Sequence, residues 1–153
     1  MVEMTWSVYL SGEIHSDWRN EVLISAKQNN LPIEFTSPVT NHQASDDCGV
    51  HILGEEGTEF WKDHKGAKIN GIRNKTLIEN ADIVIVKFGE KYRQWNAAFD
   101  AGYAAALGTP IITLHDKTLT HALKEIDGVA LAHAESPEQI VDILSYVIKG
   151  ILS

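Results

Sequence analysis

The chain is predicted to fold as a doubly wound α/β protein, flavodoxin-like or Rossmann-like, around a five-stranded parallel sheet. Two apolar runs and the helix between them predict it. Ile83-Val84-Ile85-Val86 is β-branched with no polar alternation, which is how a strand buried on both faces of a parallel sheet reads. Ile111-Ile112-Thr113-Leu114 is a second such run. Between them a segment at helical spacing, from about Gln94 to Leu107, is closed by Gly108-Thr109-Pro110. A helix-end glycine and a proline that cannot continue the helix are stop signals. Strand, helix and strand in about thirty residues make one βαβ unit, which crosses over right-handed in nearly all cases.

The other elements follow in order. Trp6–Ser11 reads as the first strand, and Gly12 permits a tight exit. Ser16 or Asp17 caps a helix from Trp18 to about Asn30, ended by Asn29-Asn30 and Pro32. Ile33–Thr36 is a short second strand. Residues 37–65 show no periodicity and read as a long irregular loop; connections beyond ~12–15 residues are usually functional loops or lids. A basic stretch, Lys62–Lys75, leads into a helix ending near Asn80. Beyond Asp116, a short helix capped by Thr118 or Thr120 runs through Lys124, and Gly128–Ala132 is a last strand. Ser136-Pro137-Glu138-Gln139 combines an N-cap, a first-turn proline and a capping-box glutamine, opening a helix to about Lys149.

With 153 residues, 44% apolar and 22% charged, the chain reads as one domain spanning 1–153, without repeats or linkers. A formal net charge of −8 argues against nucleic acid and anionic membranes as partners. The single cysteine, Cys48, excludes an intrachain disulfide. No leader pattern or stretch of ~18 apolar residues is present, so a cytoplasmic location is expected. His42, Asp46, Cys48 and His51 invite a metal reading, but their spacing matches no standard ligand set. No metal or cofactor is expected.

In the central helix, Asn96, Asp100 and Tyr103 share one face at i, i+4 and i+7, amid Ala97, Ala98, Ala101, Ala104 and Ala105. That stripe is either a solvated face or a ligand-binding face near the carboxyl ends of the strands, where open α/β sheets bind ligands. The turn Gly12-Glu13-Ile14-His15 lies where this fold places a ligand-binding loop. Glu13 in that turn would repel a phosphate. In the long loop, Asp46 or Asp47 is a candidate for handling a proton. Phe60 or Trp61 either stacks on a flat base or anchors the loop.

Phe99-Asp100-Ala101-Gly102-Tyr103-Ala104, followed by Ala106-Leu107-Gly108-Thr109-Pro110, resembles the nucleoside 2-deoxyribosyltransferase pattern Glu-x-Gly-x-Ala…Leu-Gly-Lys-Pro. That pattern follows a strand like Ala81–Val86, and Val8-Tyr9-Leu10-Ser11-Gly12 resembles the same family's first strand and turn. More closely, GEIHSDWR, FTSPVTNHQASDDCGV, FWKDHKGAKIN and QWNAAFDAGYAAALG resemble the YtoQ family over nearly the whole length.

The resemblance implies a nucleoside 2-deoxyribosyltransferase-like fold and cleavage or transfer of an N-glycosidic bond in a nucleoside-like substrate. Asp100 takes the position of the nucleophilic glutamate, attacking the anomeric carbon. Glu90, Asp46 and Asp47 are candidates to protonate the departing base, and Tyr9 to orient nucleophile or sugar. Asn96 is a candidate to hold the carboxylate or a ribose hydroxyl; Gly12, Glu13 and His15 to cradle an unphosphorylated sugar; Trp61 to stack on the base. A homo-oligomer, dimer or higher, is also implied. The chain departs from the pattern at three points: aspartate replaces glutamate, Gln94-Trp95-Asn96-Ala97 replaces Asp-x-Gly-Thr, and Phe88-Gly89 stands where an aspartate follows strand three. The alternative is a non-catalytic nucleoside- or nucleotide-binding module of the same fold.

Overall fold

A computed structural model describes residues 4–55 and 57–152. The elements are β1 (Trp6–Gly12), α1 (Trp18–Gln28), β2 (Ile33–Thr36), α2 (His42–Leu53), α3 (Glu59–Glu79), β3 (Ile83–Lys87), α4 (Trp95–Ala106), β4 (Ile111–Leu114), α5 (Lys124–Val129), β5 (Ala132–Ala134) and α6 (Pro137–Lys149), with a single 3-10 turn at Lys117–Leu119. The strands form one sheet in the order β2-β1-β3-β4-β5. All four pairings are parallel, with Val8 opposite Ile83 and Val84 opposite Ile111. This is the expected doubly wound α/β architecture, and its strand order reverses between β1 and β3.

Alternation along the strands divides the core in two. Val8, Leu10, Ile83, Ile85, Ile112 and Leu114 face α1 and α6, where Trp18, Val22, Ile140 and Leu144 are buried against them. On the other face, Tyr9, Val84, Val86 and Ile111 meet Ile78 of α3 and Ala97, Ala101 and Ala104 of α4. Each large apolar side chain so buried contributes ~1.5–3 kcal/mol. The alanines therefore pack on the sheet, and their small size brings α4 close to it. The same alternation carries Ser11 to this second face, where Asp100 of α4 meets it.

Three expectations are corrected. Residues 37–65 are largely helical, forming α2 and the start of α3. Asn41 caps α2 by accepting from Ala44 N–H, and Thr58 caps α3 by accepting from Trp61 N–H. Neither helix has a strong apolar stripe because they pack through backbone rather than through large side chains. A Cβ on Gly49 would lie 2.5 Å from Lys65 Cβ and 2.7 Å from Gly66 N. Second, the last strand is Ala132–Ala134, later than expected, and residues 124–129 are helical. Asp127 is held within α5 by hydrogen bonds from the sheet, a tertiary contact that local pattern does not reveal. Third, Asp116, rather than Thr118 or Thr120, caps the preceding 3-10 turn, accepting from Thr118 N–H at 2.9 Å. The final helix is as expected: Ser136 accepts from Gln139 N–H, Gln139 reaches back to Glu135 N–H, and Gly150 ends it with φ 71°. No described helix is long and apolar enough to cross a membrane.

Candidate functional site

A crevice of about 940 Å³ opens where the strand order reverses, the position at which open α/β sheets bind ligands. Ser11 and Gly12 at the end of β1 line its base, α3 contributes Asn70 and Asn74, and α4 contributes Asn96 and Asp100. Gly12 is required there. Its φ is +114°, and a Cβ would stand 2.0 Å from the Lys87 carbonyl oxygen.

Asp100 is 7% exposed, one of few buried charged residues. Ser11 Oγ donates a 2.6 Å hydrogen bond to its Oδ2, while Oδ1 has no hydrogen bond among the described residues. Burial pushes the carboxyl above its ordinary value of 3.8, and the Ser11 bond opposes that rise only in part. Burial, and secondly the Asp100 charge, push the phenol of Tyr9 upward as well. Tyr9 Oη, Thr36 Oγ1 and Asn74 Oδ1 are buried without a hydrogen-bonding partner in the described protein. Tyr9 and Thr36 are register neighbours on β1 and β2.

The turn after β1 closes on itself. Glu13 accepts from the backbone N–H groups of His15 and Ser16, the latter at 2.8 Å, and from the Ser16 hydroxyl. Burial raises the Glu13 carboxyl, but these hydrogen bonds and the Lys87 charge together bring it below 4.5. A carboxylate thus occupies the backbone cradle ahead of α1. Arg19 braces the turn beneath it, donating to the carbonyls of Leu10 (3.1 Å), Gly12 (3.1 Å) and Glu13 (2.7 Å). Burial pulls its guanidinium down to about 10. Gly89 lies so close that a Cβ would meet Glu13 Cγ at 2.8 Å.

Of the residues singled out from sequence, Asp100, Gly12, Glu13, His15, Asp46, Asn96, Tyr103 and His42 line the crevice. Tyr9 lies beneath it, fully buried. The others are elsewhere. Glu90 accepts from Thr118 Oγ1 at 2.7 Å, and Asp47 pairs with Lys62 at 3.0 Å. Trp61 borders a separate groove of about 330 Å³ with Leu53 and His64. Sequence reading overlooked Ser11, Asn74 and Tyr92, whose ring lies 4.6 Å from that of His15 at the rim. Ser11 carried a usable signal, because it is polar at the end of an apolar strand and two residues from Tyr9.

The residues first weighed as metal ligands do not converge. His42 pairs with Asp46 at 3.1 Å, and Cys48 Sγ is turned toward the Ser45 and Gly66 carbonyls. Among the described residues one group of three potential ligands does converge, His115, Asp127 and His133, away from the crevice.

Comparison with known proteins agrees with this architecture. A family profile described as nucleoside 2-deoxyribosyltransferase YtoQ matches residues 9–148. The uncharacterized protein YtoQ of Bacillus subtilis strain 168 is 44% identical over 144 residues, covering 94% of this chain and 97% of that one. A crystal structure of a conserved protein from Enterococcus faecalis V583 superposes with a TM-score of 0.65 at 13% identity, covering 94% and 99% of the two chains. A 2-deoxyribosyltransferase from Bacillus psychrosaccharolyticus gives 0.56 at 19% identity, over 89% and 90%. At these identities the two structural likenesses concern the fold, which is nucleoside 2-deoxyribosyltransferase-like. The profile over residues 9–148 and the identity to the Bacillus subtilis protein go further: this chain belongs to the YtoQ family.

Proposed function

We propose that this protein cleaves or transfers the N-glycosidic bond of an unphosphorylated nucleoside, with Asp100 as nucleophile. The observation that carries the reading is the buried Asp100 carboxylate in the crevice, with Oδ2 held by Ser11 and Oδ1 unengaged. Oδ1 attacks the anomeric carbon through an oxocarbenium-like transition state. The C–N bond breaks, its electron pair leaves with the base, and a glycosyl ester forms on Asp100. The base takes a proton from a nearby acid; Asp46 is the candidate because it borders the crevice. Water or a second base then attacks the same carbon, and the C–O bond of the ester breaks to regenerate the carboxylate. Asn96 serves the sugar hydroxyls, and His15 with Tyr92 provides an aromatic rim for the base.

The absence of a phosphate on the substrate is inferred from Glu13. A backbone cradle at the start of a helix is an anion site, and here the protein's own carboxylate fills it. A phosphate entering the same place meets a negative charge, and the His15 and Ser16 N–H groups there are already engaged.

A second reading, a nucleoside-binding module without turnover, is favoured by the state of the acids. Of Glu90, Asp46 and Asp47, only Asp46 borders the crevice, and His42 engages it at 3.1 Å. We include a homo-oligomer in the proposal, since Trp95 is 75% and Phe99 62% exposed on the outer side of α4, at the crevice edge. Light scattering tests this, and a monomeric mass removes it.

Incubation with a pool of nucleosides, followed by native mass spectrometry and analysis of released base, tests the chemistry. A covalent sugar adduct seen with wild type and missing in Asp100→Asn is the expected result. Retention of a nucleoside with no base released selects the binding module.

A further inference from the structure

At the carboxyl end of β4 and beside β5, two strands from the crevice edge at β1, lies a cluster for which the proposed chemistry has no use. We propose that His115, Asp127 and His133 form a binding site for a divalent transition-metal ion such as Zn²⁺ or Co²⁺. Their potential ligand atoms all lie within 4.8 Å of one another.

The surrounding hydrogen bonds orient each group. His115 Nδ1 lies 2.8 Å from the Asp116 carbonyl oxygen, which only accepts, so Nδ1 carries a proton and Nε2 is the ligand atom. Nε2 faces Asp127 Oδ2 at 2.7 Å. The other Asp127 oxygen, Oδ1, accepts from Thr113 Oγ1 at 2.7 Å. With its proton given to Asp127, Thr113 is the acceptor in its 3.3 Å contact with His133 Nδ1. That leaves His133 Nε2 with a lone pair. His115 and Asp127 thus each have their remote atom held by a neighbour, the arrangement that sets tautomer and orientation at metal centres.

Geometry and ligand type narrow the ion. Bonds of ~2.0–2.1 Å in a tetrahedron separate ligand atoms by about 3.4 Å, so the ligand atoms close by up to about 1.4 Å, together with a rotation of one ring. His115 is buried and His133 exposed. The rings stack at 4.1 Å with 30° between planes, so the exposed His133 ring is the one that turns its lone pair toward the ion to complete the site. Two imidazoles and one carboxylate favour zinc, cobalt or nickel over magnesium or calcium. The ion takes the place of any proton shared between His115 Nε2 and Asp127 Oδ2, and that proton is released to solvent. Solvent supplies the fourth ligand on the exposed side. Joining β4, α5 and β5, the ion would clamp a six-residue helix and a three-residue strand onto the sheet edge.

The test uses the full, untagged chain, stripped with chelator and titrated with Co²⁺. Saturable visible d–d absorption at one equivalent, displaced by Zn²⁺ and untouched by Mg²⁺, is expected, with a higher thermal midpoint in Zn²⁺. His133→Ala, a change at an exposed position, should abolish the absorption, whereas His42→Ala and His51→Ala should retain it. Thr113→Val should weaken Co²⁺ binding by about 10–100-fold, and Thr113→Ser should restore it. No saturable absorption in the wild-type protein, or unchanged absorption in His133→Ala, overturns the proposal.

Discussion

Ser11 and Asp100, 89 positions apart in the chain, are joined by a 2.6 Å hydrogen bond at the floor of the crevice. Ser11 is the residue of β1 that follows Tyr9 on the same sheet face, and Asp100 is the one carboxylate on the sheet-facing side of α4. The bond stabilises a charge that burial disfavours, and several consequences can be measured.

Asp100→Asn should make the protein more stable at neutral pH. Between 3.8 and the raised native value, the folded protein holds a proton that the unfolded chain has released. Stability therefore falls as pH rises through that window. Asparagine escapes this cost and still accepts from Ser11 through Oδ1. The expected gain at pH 7 is ~0.5–2 kcal/mol, typical where an active site trades stability for activity. Thermal denaturation should show the advantage vanishing at pH values below 3.8.

Base release, if Asp100 is the nucleophile, requires its ionised form. The acid limb of the kcat/KM profile should lie above pH 3.8, displaced in the direction that burial imposes. Asp100→Asn should lower kcat on the order of 10⁴-fold or more. Ser11→Ala removes the opposing hydrogen bond, so its acid limb should move to still higher pH.

Glu13→Ala should open the backbone cradle. The native carboxyl lies below 4.5, so its contribution is present above that value and is lost as pH falls through the native one. The variant should lose ~0.5–2 kcal/mol at pH 7, the size of a lost helix cap. Inorganic phosphate should then raise the thermal midpoint of the variant and leave that of wild type unchanged. Equal response in both contradicts the inference that Glu13 excludes phosphate.

Arg19→Lys should be poorly tolerated. One ammonium cannot serve carbonyls of Leu10, Gly12 and Glu13 together, as the guanidinium does. Trp18 Nε1 still serves the Glu13 carbonyl at 2.7 Å, but losing the charge-assisted bonds to the Leu10 and Gly12 carbonyls costs ~1.5–3 kcal/mol, and urea titration should show the midpoint falling with an unchanged slope.

Gly49→Ala should separate α2 from α3. Its Cβ would approach Gly66 N to 2.7 Å, and overpacking of this kind costs ~1–3 kcal/mol. Hydrogen exchange should increase in α2. Because Ser45 and Asp46 border the crevice, nucleoside affinity should drop as well. Gly102→Ala is the control. A Cβ added there on α4 would meet no residue beyond its own helix turn within 4 Å, and the change should stabilise by ~1 kcal/mol through helix propensity.

The sheet and most of its helices were legible in local pattern alone. The apolar runs at 83–86 and 111–114 are buried on both faces because helices cover both, and an uninterrupted β-branched run is the direct imprint of that burial. Caps and stop signals placed α4 and α6 to within a residue, since they act over four or five positions. The motif around Asp100 also indicated the family. The placement of α2, α5 and the loops depends on contacts between distant segments. The α2–α3 pairing depends on glycines meeting glycine and lysine across a helix interface, which leaves no periodic trace in either helix. Trp61, Asp47 and Glu90 carry suitable chemistry in suitable segments, yet the directions in which their helices and turns face take them away from the crevice. Conversely, Ser11 joins Asp100, and His115 joins Asp127 and His133, only because parallel strands and a crossover helix bring distant positions to one end of the sheet. Local pattern records burial and capping. It does not record which distant polar atoms will share a site.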